Sequence, residues 1–206
     1  NTLQLFIKEI FLSINRGTFD LSQIRSRDMK FKKYFLYYSL FFLFCATPYT
    51  QIDLHVKSTP PEVEKSLDQL VTYLTAPAKN EAEKARAIFC WITRNIDFDI
   101  TEYNRGEYIK RSSEEILQRR RAICDGYAVL FKQMAKAAGL EAVYIKGYSK
   151  GYGEQLRQDH AWNAVKIEGR WQLVDCTWGA GSFDGYERRF KKRFQEYYFL
   201  TPPDQF

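Results

Sequence analysis

Histidine is scarce in this chain, with two in 206 residues, His55 and His160. The four cysteines, Cys45, Cys90, Cys124 and Cys176, include no Cys-x-x-Cys pair, and no His-x-x-x-His stands anywhere in the chain. Familiar zinc spacings are thereby excluded, and no metal is expected. Glycines at 147, 151 and 153 are not followed by Gly-Lys-Ser/Thr and open no helix, so they do not build a phosphate cradle. No cofactor is expected. No apolar run is long enough to span a bilayer comfortably.

Net charge is +6 and the pI is near 9.0, but the excess sits in short runs at Lys30 to Lys33, Arg119 to Arg121 and Arg188 to Arg193. No recognition motif accompanies these runs. They read as solvated faces or an export signal, and no nucleic-acid partner is expected. With 45% apolar and 17% aromatic residues, the chain can bury one sizeable core.

From Met29 the chain has the form of a secretory signal: Lys30, Lys32 and Lys33 make a basic start, and Tyr34 to Cys45 an apolar stretch. Processing is expected between Ala46 and Gln51, giving an exported protein (secreted, periplasmic or in the cell envelope) with no stable membrane span after cleavage. Loss of Cys45 would leave an odd number of cysteines, and so one thiol over even if Cys90 and Cys176 pair. Residues 1–28 contain no Met and receive no function. Residues 51–79 read as a helical extension and 80–206 as the core, whose Pro202 to Phe206 end has the look of a truncation.

Thr59-Pro60-Pro61-Glu62 followed by Val63, Leu67, Leu70, Val71 and Leu74 predicts an amphipathic helix starting at the prolines. Asn80 with Glu83 caps a second helix carrying Ala87, Ile88, Trp91, Ile92 and Ile96, and Ser112 with Glu115 caps a third running toward Arg121. A fourth begins at or just before Cys124 and ends at Gly139. The period then changes to two: Glu141 to Tyr148, Ala161 to Ile167 and Arg170 to Thr177 read as strands, the last two joined by a tight turn at Glu168-Gly169. In that register His160 lies across from Thr177, and Asp175, two residues away on the same face, becomes its diagonal neighbour.

This placement carries chemistry. Attack on an amide carbonyl by sulfur needs a thiolate, a base and a group that orients the base. A helix N-terminus favours an ionised thiol, and Cys124 has that position. His55 lies in a Pro-flanked segment ahead of the first expected helix, so His160 is the candidate base and Asp175 the candidate orienting acid. Taken singly, each residue is more commonly structural: a buried thiol, a satisfied histidine, a strand-end carboxylate. Their joint placement favours catalysis. The Cys124 backbone N–H is the natural first oxyanion donor; Gln118 is a candidate second, although it falls in a predicted helix. Trp162 and Trp178 flank the acid and base and either wall the cleft, offer indole N–H groups or are plain core aromatics.

The stretches KARAIFCWITRNIDFD (84–99), CDGYA (124–128), DHAWN (159–163) and VDCTWG (174–179) resemble the transglutaminase-like superfamily, in particular the branch containing the kyphoscoliosis peptidase and related cytokinesis proteins. The resemblance runs over roughly Thr59 to Phe206. It implies an α+β, papain-like or transglutaminase-like core, in which the helix bearing the nucleophilic cysteine packs on an antiparallel β-sheet. By match of motif it also implies Cys124 as nucleophile, His160 as base and Asp175 as orienting acid. The expected substrate is a protein or peptide amide. Hydrolysis is favoured over amine transfer because the acidic calcium-binding loop that animal transglutaminases share is missing. A non-catalytic scaffold that keeps the fold is the competing reading.

Overall fold

The computed structural model describes residues 48–106, 108–150, 156–184 and 189–206. Segments 1–28 and Met29 to Cys45 lie outside the described residues, as does the glycine loop at 151–155. Ahead of the expected first helix stands α1 (Thr50–Lys57), which buries Ile52 and Val56. The helix predicted from the prolines is broken. Val63–Lys65 form a 3-10 turn, Ser66 is extended at φ −135° and ψ 136°, and α2 (Leu67–Thr75) starts only after it. The break is anchored by Glu64, which accepts from the Trp91 indole at 3.0 Å and pairs with Arg120 at 2.7 Å. Leu70, Val71 and Leu74 still form the buried stripe.

The second expected helix is α3 (Glu81–Asn95). The Asn80 side chain accepts from the Glu83 N–H at 2.9 Å, satisfying one donor of the first turn. Every residue from Ala85 to Thr93 is buried, so this helix runs through the core rather than over it. A bridge of β1 (Asp97–Phe98), parallel to β2 (Arg121–Ala122), brackets two short helices, α4 (Ile100–Arg105) and α5 (Ser113–Arg119). The capping box at Ser112 and Glu115 is present, and Arg120 ends α5 at φ 55°. Helix α6 (Cys124–Ala137) then follows, closed by Gly139 at φ 76°.

Four strands form the sheet: β3 (Ala142–Lys150), β4 (Leu156–Ile167), β5 (Arg170–Val174) and, after a hairpin of β6 (Gly181–Asp184) with β7 (Arg189–Lys192), the short β8 (Phe199–Thr201). Their order is β3-β4-β5-β8, all antiparallel. Glu168 (φ 50°) and Gly169 (φ 79°) both turn left-handed, as a two-residue hairpin matching strand twist requires. That turn sets Ile167 opposite Arg170 and Asn163 opposite Val174.

Beyond Val174 the expected strand stops. Asp175 becomes the N-cap of α7 (Cys176–Ala180), its Oδ1 accepting from the N–H groups of Thr177 and Trp178 at 2.8 and 2.9 Å. A carboxylate at this position gives the backbone an alternative to the ladder, and that alternative ends β5. Helix α6 packs on β3 and β4, and Asn163 binds the two layers together: its amide donates to the Ala128 carbonyl of α6 at 3.0 Å and to the Val143 carbonyl of β3 at 3.2 Å. The architecture is α+β, with the cysteine-bearing helix on an antiparallel sheet.

Candidate active site

Cys124 is the first residue of α6, and Ile123 before it is extended and supplies no side-chain cap. Cys124 is 6% exposed, packed with Ala128 and Ala161 and against Tyr144. His160 stands on β4, buried, with Nε2 at 2.5 Å from Asp175 Oδ2. Asp175 is fully buried and divides its work: Oδ2 meets the imidazole while Oδ1 caps α7. Cys124 is the second hydrogen-bond partner of the imidazole, and with Nε2 taken that contact falls to Nδ1. The three residues singled out in the sequence are therefore contiguous, Cys124 to His160 to Asp175.

Burial disfavours a charged imidazole here, but the Asp175 carboxylate, by charge and hydrogen bond, and Cys124 outweigh it and push His160 up to about 10. The protonated imidazolium is the form this pocket stabilises. The other two cysteines among the described residues, Cys90 and Cys176, are free thiols, both pushed up by burial, which favours their protonated form.

Trp178 stacks on His160 with centroids 4.2 Å apart, and Trp162 lies nearly parallel at 5.8 Å. The Trp162 indole N–H is buried without a hydrogen-bond partner, and its ring fills the space over Gly147, where a Cβ would come within 2.6 Å of it. Gln118 does not belong here. It is exposed on α5 and lines a surface depression with Lys65, Leu67, Asp68 and Leu117, none of which belongs to the Cys124–His160–Asp175 cluster. His55 stacks on Tyr73 and contacts its carbonyl through Nε2 at 2.8 Å, so it is a fastening between α1 and α2.

A residue that sequence reasoning passed over is Tyr144. Its hydroxyl donates to Asp125 Oδ1 at 2.6 Å, and burial together with Asp125 raises its ionisation above the ordinary phenol range. The pair walls Cys124 on the sheet side. Strand alternation alone could have placed Tyr144 opposite Asn163, but only the α6–β3 packing brings it to the first turn of the helix. Among the described residues no group of three or more His, Cys, Asp or Glu is gathered closely enough to hold a metal ion, and no helix is long and apolar enough to cross a membrane.

Residues 68–176 match the transglutaminase-like superfamily, and the chain belongs to it. The kyphoscoliosis peptidases of Mus musculus and Homo sapiens are each 40% identical over 159 residues, covering 74% of this chain and 24% of theirs. Hillarin of Drosophila melanogaster is 32% identical over 177 residues, with 77% of this chain and 21% of hillarin covered. Cytokinesis protein 3 of Schizosaccharomyces pombe is 25% identical over 164 residues, covering 76% and 18%. The branch expected from the motifs is the one found. The chain spans about a quarter of the length of the curated kyphoscoliosis peptidases it matches.

Proposed function

We propose that this chain is a cysteine-nucleophile acyl-transfer enzyme acting on protein or peptide amide bonds, with Cys124, His160 and Asp175 as its triad and water as the second-step acceptor. The observation that carries the reading is the chain of contacts from Cys124 through the imidazole to a fully buried Asp175. In the proposed cycle the Cys124 thiolate attacks the amide carbon, and the C=O electron pair moves onto oxygen. N–H groups at the start of α6, that of Cys124 first among them, stabilise the oxyanion. The His160 imidazolium then gives its Nδ1 proton to the departing amine as the C–N bond breaks, leaving a thioester. Water, deprotonated by the neutral imidazole, attacks the thioester, and the carboxylic acid leaves as the thiolate and imidazolium are restored. Asp175 stays ionised and fixes the ring throughout.

The peptidase name of the mouse and human relatives points to the same second step. The test is mass spectrometry of peptide mixtures incubated with the protein, with and without a primary amine. Cleavage or deamidation supports hydrolysis, amine incorporation replaces it with transamidation, and an inert Cys124 site in both mixtures contradicts the enzyme reading. Export, from the pattern at Met29 to Cys45, is part of the proposal; N-terminal sequencing of the protein from culture medium or envelope fractions decides it.

A further inference from the structure

Arg86 is 1% exposed in the middle of α3, although arginine is almost never fully buried unless paired. Both prongs of its guanidinium are occupied. Nε and Nη2 donate to the Asp53 carboxylate at 2.9 Å each, and Nη1 and Nη2 to the Glu196 carboxylate at 2.5 and 2.8 Å. Tyr49, Phe194 and Phe199 surround the guanidinium with ring centroids 5.1 to 5.3 Å from its carbon. Burial opposes the charge, and the two carboxylates more than restore it. A buried ion pair is weak evidence of stability, because apolar residues of equal volume often serve as well. What a planar fork supplies is direction.

The direction leads to the site. Glu196 opens a 3-10 turn, Glu196–Tyr198, and the Tyr198 carbonyl accepts the Asp175 backbone N–H at 3.0 Å. The Tyr198 ring meets Trp178 edge-on at 5.4 Å, and Trp178 is the ring stacked on His160. We infer that Arg86 is a positioning residue for acyl transfer: by clamping Glu196 it fixes the turn that holds the Asp175 backbone and the Trp178 ring, and through them the aim of His160 at Cys124. The inference rests on the triad reading above.

Two variants test it. Glu196 is 55% exposed at its side chain, so Glu196→Gln removes the charge without opening the core; Arg86→Lys keeps a charge and loses the fork. The readout is the rate of Cys124 alkylation by iodoacetamide against pH, located by peptide mass spectrometry, alongside thermal melting. His160→Gln serves as the control. Both variants are expected to melt cooperatively and to alkylate about tenfold more slowly at pH 7, as displacement of a catalytic group does, with a steeper rise toward alkaline pH. If they melt lower while their pH profiles superimpose on wild type and His160→Gln departs from it, Arg86 is a structural residue only and the positioning role is overturned. If the His160→Gln profile also superimposes, the triad reading fails, and the positioning role fails with it. Should Arg86→Lys not fold, Glu196→Gln alone decides by the same criterion.

Discussion

Trp178 lies flat against His160, its plane 12° from the imidazole, while its own backbone N–H donates at 2.9 Å to the carboxylate that binds the same imidazole. One residue thus covers the imidazole and anchors the carboxylate. An imidazolium on an indole face gains about 0.5–2 kcal/mol from the ring quadrupole. Trp178→Ala is expected to lower kcat/KM about tenfold, with Trp178→Phe keeping most of the activity, because the backbone donor survives in both. An equal loss in the two variants would mean that the indole N–H, not the face, is what matters.

Asp175→Asn keeps an N-cap acceptor for Thr177 and Trp178, and asparagine caps as well as aspartate, so α7 should form and the protein should melt cooperatively. The imidazole loses the charge that fixes its tautomer. Turnover is expected to fall by about 10³- to 10⁴-fold. Steady-state kinetics together with circular dichroism separates the two effects, and wild-type turnover in this variant would remove Asp175 from the mechanism.

His160 also couples stability to pH. Its value is raised in the fold, from an ordinary 6.5 to about 10, so the stabilisation it brings is fully present below about pH 6.5 and is lost as pH climbs through 10. Urea denaturation across that range should show the gap between wild type and His160→Gln widest at the acid end and shrinking toward the alkaline end. A gap independent of pH would show that the imidazole is not held as its cation.

Gly179 sits in α7 against the core, where a Cβ would come within 2.5 Å of Phe89 Cζ and 3.2 Å of Thr93 Cγ2. Phe89 is fully buried in the core, with its ring against Phe194 and Phe199. Gly179→Ala should cost about 1–3 kcal/mol, the usual range for overpacking, and reduce activity because α7 carries the Asp175 cap. Chemical denaturation measures the first effect; an unchanged midpoint would mean that the α3–α7 contact yields.

Much of this was legible because the signals are local. Asn80 with Glu83, Ser112 with Glu115 and Gly139 bound their helices as side-chain capping and left-handed backbone dictate. The Glu168-Gly169 turn set the β4–β5 register correctly. Departures arise where tertiary contacts override periodicity. The apolar pattern from Val63 to Leu74 has helical spacing, yet Glu64 is drawn to Trp91 and Arg120, distant in sequence, and the helix breaks at Ser66. Extending β5 to Thr177 puts Asp175 beside His160; the contact is present, but it is made from an N-cap after the strand has ended. The aspartate followed by Cys-Thr-Trp-Gly was the available sign of that helix. Tyr144 and Arg86 act through partners 19 positions before and 110 positions after them, respectively, and no local spacing announces such pairs.

In the proposed mechanism Cys124 takes up an acyl group, with His160 as its proton-transfer partner. Mixing the protein with p-nitrophenyl acetate and locating the acetyl group by peptide mass spectrometry tests it without knowledge of the natural substrate. Expected is a burst of p-nitrophenol of about one equivalent, with acetyl on Cys124, absent from Cys124→Ala, and slowed by orders of magnitude in Cys124→Ser, whose hydroxyl the same surroundings cannot ionise. A burst of the same size from Cys124→Ala, with acetyl on other side chains, would contradict it.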